Sequence, residues 1–139
     1  MLGETGEDAP MPIKRMDHFT IVTRSSAVTE QFYSDILGFK AGPRPNFTFP
    51  GVWLYNNNEA VLHVIEKPEI PSESGVLDHM AFWGSDLASY VAKLESRGIK
   101  YDLRRLPQGG AGAGVWQLFF FDPNNARVEI DFPADEKGP

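Results

Sequence analysis

The chain has 139 residues, 42% hydrophobic and 23% charged, enough for one core shared by a single domain or by two half-size modules. Its net charge of −6 argues against a nucleic-acid partner, which needs clustered Lys and Arg, and no apolar run approaches membrane-spanning length, so a soluble protein is expected. With no cysteine, disulfides, thiolate metal sites and cysteine nucleophiles are excluded; a reducing cytoplasm suits the chain, and any metal must be held by imidazole and carboxylate.

Residues 1–12 are acidic with Gly and Pro, lack the basic and apolar regions of a secretory signal, and are expected to form a mobile tail. Met16 to Thr23 alternates in polarity, which predicts a strand with His18 on the face opposite Phe19 and Ile21. Ser25 and Ser26 offer an N-cap to a helix whose stripe is Val28, Phe32 and Ile36, with Tyr33 and Leu37 beside it and Gly38 ending it. Between Lys40 and Pro50, three prolines allow at most an edge strand. Val52 to Tyr55 and Ala60 to Glu66 read as a hairpin around an Asn-rich turn. These elements make a first unit over 13–67, and the Pro- and Ser-containing stretch 68–75 reads as a linker.

The second unit spans 76–133. Leu77 to Gly84 predicts a strand, Ser85-Asp86 a cap, and Leu87, Tyr90, Val91 and Leu94 a helical apolar face stopped near Gly98. Ile99 to Leu106, Val115 to Phe121 and Arg127 to Phe132 follow as strands, the last two joined by the turn Asp122-Pro123-Asn124-Asn125. Gly109 to Gly114 has no Lys-Ser/Thr after it and no helix start, so a flexible loop over a site mouth is expected rather than a phosphate cradle. Residues 134–139 are expected to fray as a C-terminal tail. Each half thus repeats strand, helix, then two or three strands.

The repeat carries the chemistry. Asp17-His18-Phe19-Thr20-Ile21-Val22 returns as Asp78-His79-Met80-Ala81-Phe82-Trp83, and each half closes with a strand holding one more potential ligand, His63 or Glu129. All three histidines and one glutamate therefore sit in apolar runs, where an unpaired polar group is costly to bury. Taken singly, each is more often a hydrogen-bonded core or surface residue. Taken together at related positions, His18, His63, His79 and Glu129 point to one shared divalent ion. Trp53 is the first choice for a substrate pocket, with Phe49 and Trp116. Phe47, Trp83 and the run Phe119-Phe120-Phe121 fit an ordinary sheet core better. Arg44, Arg104 and Arg105 are candidates for an anionic substrate against the commoner role of solvated cations, and Arg105 is kept among the substrate-binding residues.

Asp17 to Val22, Gln31-Phe32-Tyr33-Ser34-Asp35-Ile36-Leu37-Gly38-Phe39, Leu77 to Phe82 and Phe121-Asp122-Pro123-Asn124-Asn125-Ala126-Arg127-Val128-Glu129-Ile130 together resemble the vicinal oxygen chelate superfamily. That superfamily includes glyoxalase I, methylmalonyl-CoA epimerase, fosfomycin-resistance enzymes, bleomycin-resistance proteins and extradiol dioxygenases. The resemblance implies an α+β fold of two βαβββ modules whose sheets curl into a half-barrel around a metal. It implies His18, His63, His79 and Glu129 as ligands, one ion (Zn, Ni, Co, Mn or Fe) per site, and a homodimer. His63 departs from the glyoxalase I pattern, which places there a glutamate that takes part in proton transfer. The implied chemistry is that of an isomerase or lyase acting on a small oxygenated substrate through a metal-bound enediolate, with Glu129 or His63 as the base. An iron-dependent extradiol-type dioxygenase using His18, His79 and Glu129, and a metal-free antibiotic binder, are the alternatives.

Overall fold

Gly38 closes the first helix for a geometric reason. At φ 77° it takes the left-handed conformation, and its N–H reaches back to Ser34 while the Phe39 N–H reaches Tyr33. The computed structural model describes residues 15–70 and 77–139. The predicted tail over 1–12 and most of the predicted linker over 68–75 lie outside the described residues.

The order is β1 (Phe19–Thr23), α1 (Ser26–Leu37), β2 (Lys40–Gly42), β3 (Gly51–Asn56), β4 (Glu59–Glu66), β5 (Met80–Trp83), α2 (Leu87–Ser96), β6 (Tyr101–Arg105), β7 (Trp116–Phe121) and β8 (Arg127–Phe132). The strands form two open four-stranded sheets, ordered β1-β4-β3-β2 and β5-β8-β7-β6, each with its first strand parallel to its last. The architecture is the α+β arrangement expected from the repeat. Both helices contribute to a single core in which Tyr33, Ile36, Leu54, Leu62 and Val64 meet Leu87, Leu94, Leu118, Val128 and Phe132. Alternation along the strands then decides what is left outside. In β4, Leu62 and Val64 are buried in the core while His63 and Ile65 are only half-buried. Among the described residues, no helix is long and apolar enough to cross a membrane.

Three expectations change. The buried stripe of α1 is Thr29, Tyr33 and Ile36, one residue on from the predicted Val28, which is 55% exposed. Polar partners cause the shift. The Thr29 hydroxyl donates to Thr23 Oγ1 at 2.9 Å, and the Tyr33 hydroxyl to Asp122 Oδ2 at 2.9 Å, so both groups are satisfied inside. Ser25 does cap α1, accepting from the Val28 N–H at 3.2 Å, but Asp86 makes no side-chain cap to α2. Glu136 supplies it instead, accepting from the Asp86 and Leu87 N–H groups at 2.9 and 2.7 Å.

The C-terminal segment is therefore tied down rather than frayed. Trp116 Nε1 donates to the Glu136 carbonyl at 2.9 Å, and Arg105 donates to the Ala134 carbonyl at 2.6 Å. Replacing Glu136 by Ala removes the only carboxylate reaching the α2 N-terminus among the described residues. We expect a stability loss of about 1 kcal/mol in urea denaturation, with Glu136→Gln losing less. Equal stability of Glu136→Ala and wild type would contradict this cap.

Candidate metal centre

His18 and His79 each stand immediately before their strand, so the predicted strands are shorter than expected at this end. The preceding aspartate orients each ring. Asp17 Oδ2 lies 2.8 Å from His18 Nδ1, and Asp78 Oδ2 lies 2.7 Å from His79 Nδ1. A carboxylate can only accept, so Nδ1 carries the proton in both rings and Nε2 is the nitrogen directed away from each aspartate. The carboxyl groups of Asp17 and Asp78 are held below the usual range, chiefly by these histidine hydrogen bonds. Arg127 adds to the second pair, donating to Asp78 Oδ2 at 2.8 Å while its guanidinium lies 4.3 Å from the Phe119 ring centroid.

Strand register places the other two candidates. In the parallel β1/β4 pair Thr20 faces His63, and in β5/β8 Ala81 faces Glu129. Thr20 and Ala81 each lie two residues past their histidine, so His63 and Glu129 are topological equivalents. The equivalence extends to their antiparallel neighbours, Trp53 beside His63 and Phe119 beside Glu129.

The four residues come together as two pairs. His18 and His63 stack at 3.7 Å between centroids, and Trp53 stacks on the far face of His63, also at 3.7 Å. His63 Nε2 is buried with no partner among the described residues. Desolvation, with the nearby His18 second, lowers the His63 pKa and favours a neutral ring with a free lone pair. In the other pair, His79 Nε2 lies 2.8 Å from Glu129 Oε1, and Glu129 is 5% exposed. Among the described residues, no three His, Asp or Glu side chains gather in one place to hold an ion. Each pair nonetheless fits as half of a donor set. The His79–Glu129 contact requires a proton between its two atoms, a place a divalent cation can take, and His63 offers an unpartnered imidazole nitrogen.

Two groups were not picked out in the sequence. Gln117 Nε2 donates to Glu129 Oε2 at 3.1 Å. Asp131 lies two residues beyond Glu129 on the same face, paired in register with Gln117. Both interrupt otherwise apolar runs with the parity of Phe119 and Glu129, which is the signal that marks them. The first sheet carries Gly51 and Ile65 at the corresponding register positions, so only the second half has this polar support.

The remaining candidates divide. Phe49, Phe47 and Trp53 form a continuous aromatic series beside His63, with Phe47 and Phe49 stacked at 4.7 Å and Phe47 6.4 Å from Trp53. Trp116 and Arg105 instead lie against each other at 4.3 Å and hold the C-terminal segment. The glycine-rich segment is closed by its own bonds, from Gly114 N–H to Pro107 and from Arg105 Nε to Gly114.

Residues 15–130 match the family model described as Glyoxalase/Bleomycin resistance protein/Dioxygenase superfamily. A protein of Arabidopsis thaliana named Glyoxylase I 4 is 32% identical over 89% of this chain and 75% of its own length. Metapyrocatechase of Geobacillus stearothermophilus is 26% identical over 86% of this chain but only 37% of its own. Among solved structures, a glyoxylase/bleomycin resistance protein/dioxygenase domain from Frankia sp. EAN1pec superposes with a TM-score of 0.71 at 18% identity, covering 90% of this chain and 96% of that one.

Burial raises the Asp131 carboxyl from 3.8 to about 7, with the Glu129 hydrogen bond and charge adding to it and His79 opposing. Because the folded value exceeds the unfolded one, this contribution is fully present below about pH 4 and is lost as the pH rises through 7. In metal-free protein, Asp131→Asn should therefore gain stability over wild type progressively between pH 4 and 7 in urea titrations. A difference that stays constant across that range would show that Asp131 ionises normally.

Proposed function

Because the chain belongs to the Glyoxalase/Bleomycin resistance protein/Dioxygenase superfamily, we propose that it is a divalent-metal enzyme acting on a small oxygenated molecule, with isomerase or lyase chemistry. Its centre would combine His18 and His63 of one copy with His79 and Glu129 of a second in a homodimer. The observation that carries this reading is the two-by-two division of equivalent ligands, each leading histidine oriented through Nδ1 by its own aspartate. Neither pair alone supplies the three or four protein ligands typical of zinc-type sites.

An ion held by these residues would supply Lewis acidity to the oxygens of the substrate. The chain's own groups do the rest. Asp17 and Asp78 keep Nε2 of both leading histidines available as donors. Gln117 holds Glu129 Oε2 at 3.1 Å, away from His79, and this oxygen is the atom we assign to carrying a proton between adjacent substrate carbons. His63, which lacks a partner at Nε2 among the described residues, is the second candidate base. The aromatic series beside it forms one wall that excludes water. A cytoplasmic location fits a chain without cysteine.

One other reading draws on a specific observation. His18, His79 and Glu129 make up the two-histidine, one-carboxylate set of non-haem iron oxygenases, and one relative is named Metapyrocatechase. Elemental analysis of anaerobically purified protein separates the two. Zinc, nickel, cobalt or manganese supports isomerase or lyase chemistry, and iron supports oxygenation. Metal binding unchanged in both His18→Ala and Glu129→Ala would remove the metal reading altogether.

Sharing between copies has its own test. A chain lacking His18 and His63 is co-purified as a heterodimer with a chain lacking His79 and Glu129. One of the two centres in that heterodimer is intact if ligands are shared, so metal content should be about half that of wild type. If each chain built its own centre, the heterodimer would bind none.

A further inference from the structure

The loop between β2 and β3 holds two phenylalanines outward on a stiff frame. Phe47 is 42% and Phe49 41% exposed, and together they continue the Trp53–His63–His18 stack as an apolar surface. Such contiguous exposure marks a contact surface, whereas scattered apolar residues need no explanation. Pro43, Pro45 and Pro50 restrict the loop, and the Tyr55 hydroxyl donates to the Pro43 carbonyl at 2.6 Å. The Phe47 N–H donates to Pro45 at 2.8 Å, and the Glu66 N–H to Pro50 at 3.0 Å. The rings are thus already in place for a ligand, which lowers the ordering cost of binding.

Arg44 gives this surface a charge. Its guanidinium lies 4.9 Å from the Phe47 ring centroid and 5.2 Å from that of Phe49, fixed by a 2.9 Å hydrogen bond to the Phe49 carbonyl. The two arginines over Phe119 in the second sheet already have carboxylates, Arg104 with Asp102 and Arg127 with Asp78. Arg44 has no carboxylate partner among the described residues; its Nε is buried without an acceptor there, so a ligand would meet the other nitrogens of the guanidinium.

We propose that this surface recognises a planar aromatic carboxylate, the ring lying against Phe47, Phe49 and Trp53 and the carboxylate on Arg44. Aromatic rings stack with a preference that saturated rings lack, and a guanidinium matches a carboxylate where an uncharged amide does not. The proposal names the substrate class of the centre set out above and rests on that reading for catalysis. Recognition itself does not need the ion, so the two fail separately.

The test titrates metal-free protein with benzoate, cyclohexanecarboxylate and benzamide, following ligand and protein shifts by NMR. Benzoate should bind roughly tenfold more tightly than either of the others. Phe47→Leu, at an exposed position, should abolish the ring preference and keep the charge preference, and Arg44→Gln should do the reverse. Both variants should take up metal as wild type does. Equal affinity for all three probes, no benzoate binding at millimolar concentration, or preferences that survive both substitutions would overturn the proposal. So would the patch proving to be a contact between copies that excludes the ligand.

Discussion

A buried polar network between the halves is the constraint on which the rest of the fold depends. Asp122 sits in the turn before β8 and accepts from the Tyr33 hydroxyl and from the N–H groups of Asn124 and Ala126. Asn124 then bonds both Thr23 and Thr29, which also bond each other. One end of β1 and one face of α1 are thereby fixed to the β7–β8 turn, 89 to 101 positions along the chain. Burial raises the Asp122 carboxyl even though its donors pull it down, so the group tolerates the interior only because those donors are aimed at it. Apolar packing around it, with Phe39 on Phe82 and Phe32 near Phe120, supplies cohesion. The network adds direction, because a slipped arrangement would leave several buried polar atoms without partners.

With the core faces locked together, the opposite face of each sheet carries the candidate site, and every candidate ligand lies on or beside that face, His63 half-buried and Glu129 buried. The two faces are not copies of each other. Equivalent positions carry His63 and Glu129, Trp53 and Phe119, Ile65 and Asp131, Gly51 and Gln117. The first half thus combines imidazole with an aromatic wall, and the second combines a carboxylate with polar groups that orient it. Duplication accounts for the shared backbone frame and the paired Asp-His units. Divergence at four register positions separates a surface suited to holding a flat ring from one suited to handling charge and protons.

Much of this was legible in the chain, for stated reasons. Period-two and period-four patterns mark strands and helices, so both helices and seven strands are readable from the chain, although β1 and β5 each begin three residues later than their patterns suggest. The short β2 is readable only as a possible edge strand between Lys40 and Pro50. His18, His63, His79 and Glu129 stood out because each interrupts an apolar run of the sequence. Their division into two separate pairs did not stand out, since it follows from the offset between parallel strands, which only the paired register reveals. Gln117 and Asp131 carried the right parity but lay beside more conspicuous neighbours. Glu136 had no local signal at all: its partners are the Asp86 and Leu87 N–H groups, and nothing in a tail of charged and turn-forming residues announces a cap for a distant helix. Val28 was misplaced because a hydroxyl, Thr29, took the buried position through its polar partners.

Under the proposed function, the separation of the ligand pairs has an energetic consequence. A pair such as His79 and Glu129 is a weak chelate alone, and in the isolated chain it is satisfied by its own proton-sharing contact. His63, with a buried and unpartnered Nε2, carries a desolvation cost that no group among the described residues relieves. A second copy bringing the complementary pair, together with an ion, would remove both conditions at once. Metal affinity and association of copies would then be linked, each raising the other, since an ion that binds the assembled form shifts the equilibrium toward it by mass action. The ion would also have to replace the His79–Glu129 hydrogen bond, since both atoms of that contact would turn to it. The polar support from Gln117 and Asp131 lies on that side alone, beside the carboxylate that the ion would share with His79. The aromatic wall lies on the other, where the ring beside it has nothing to give up.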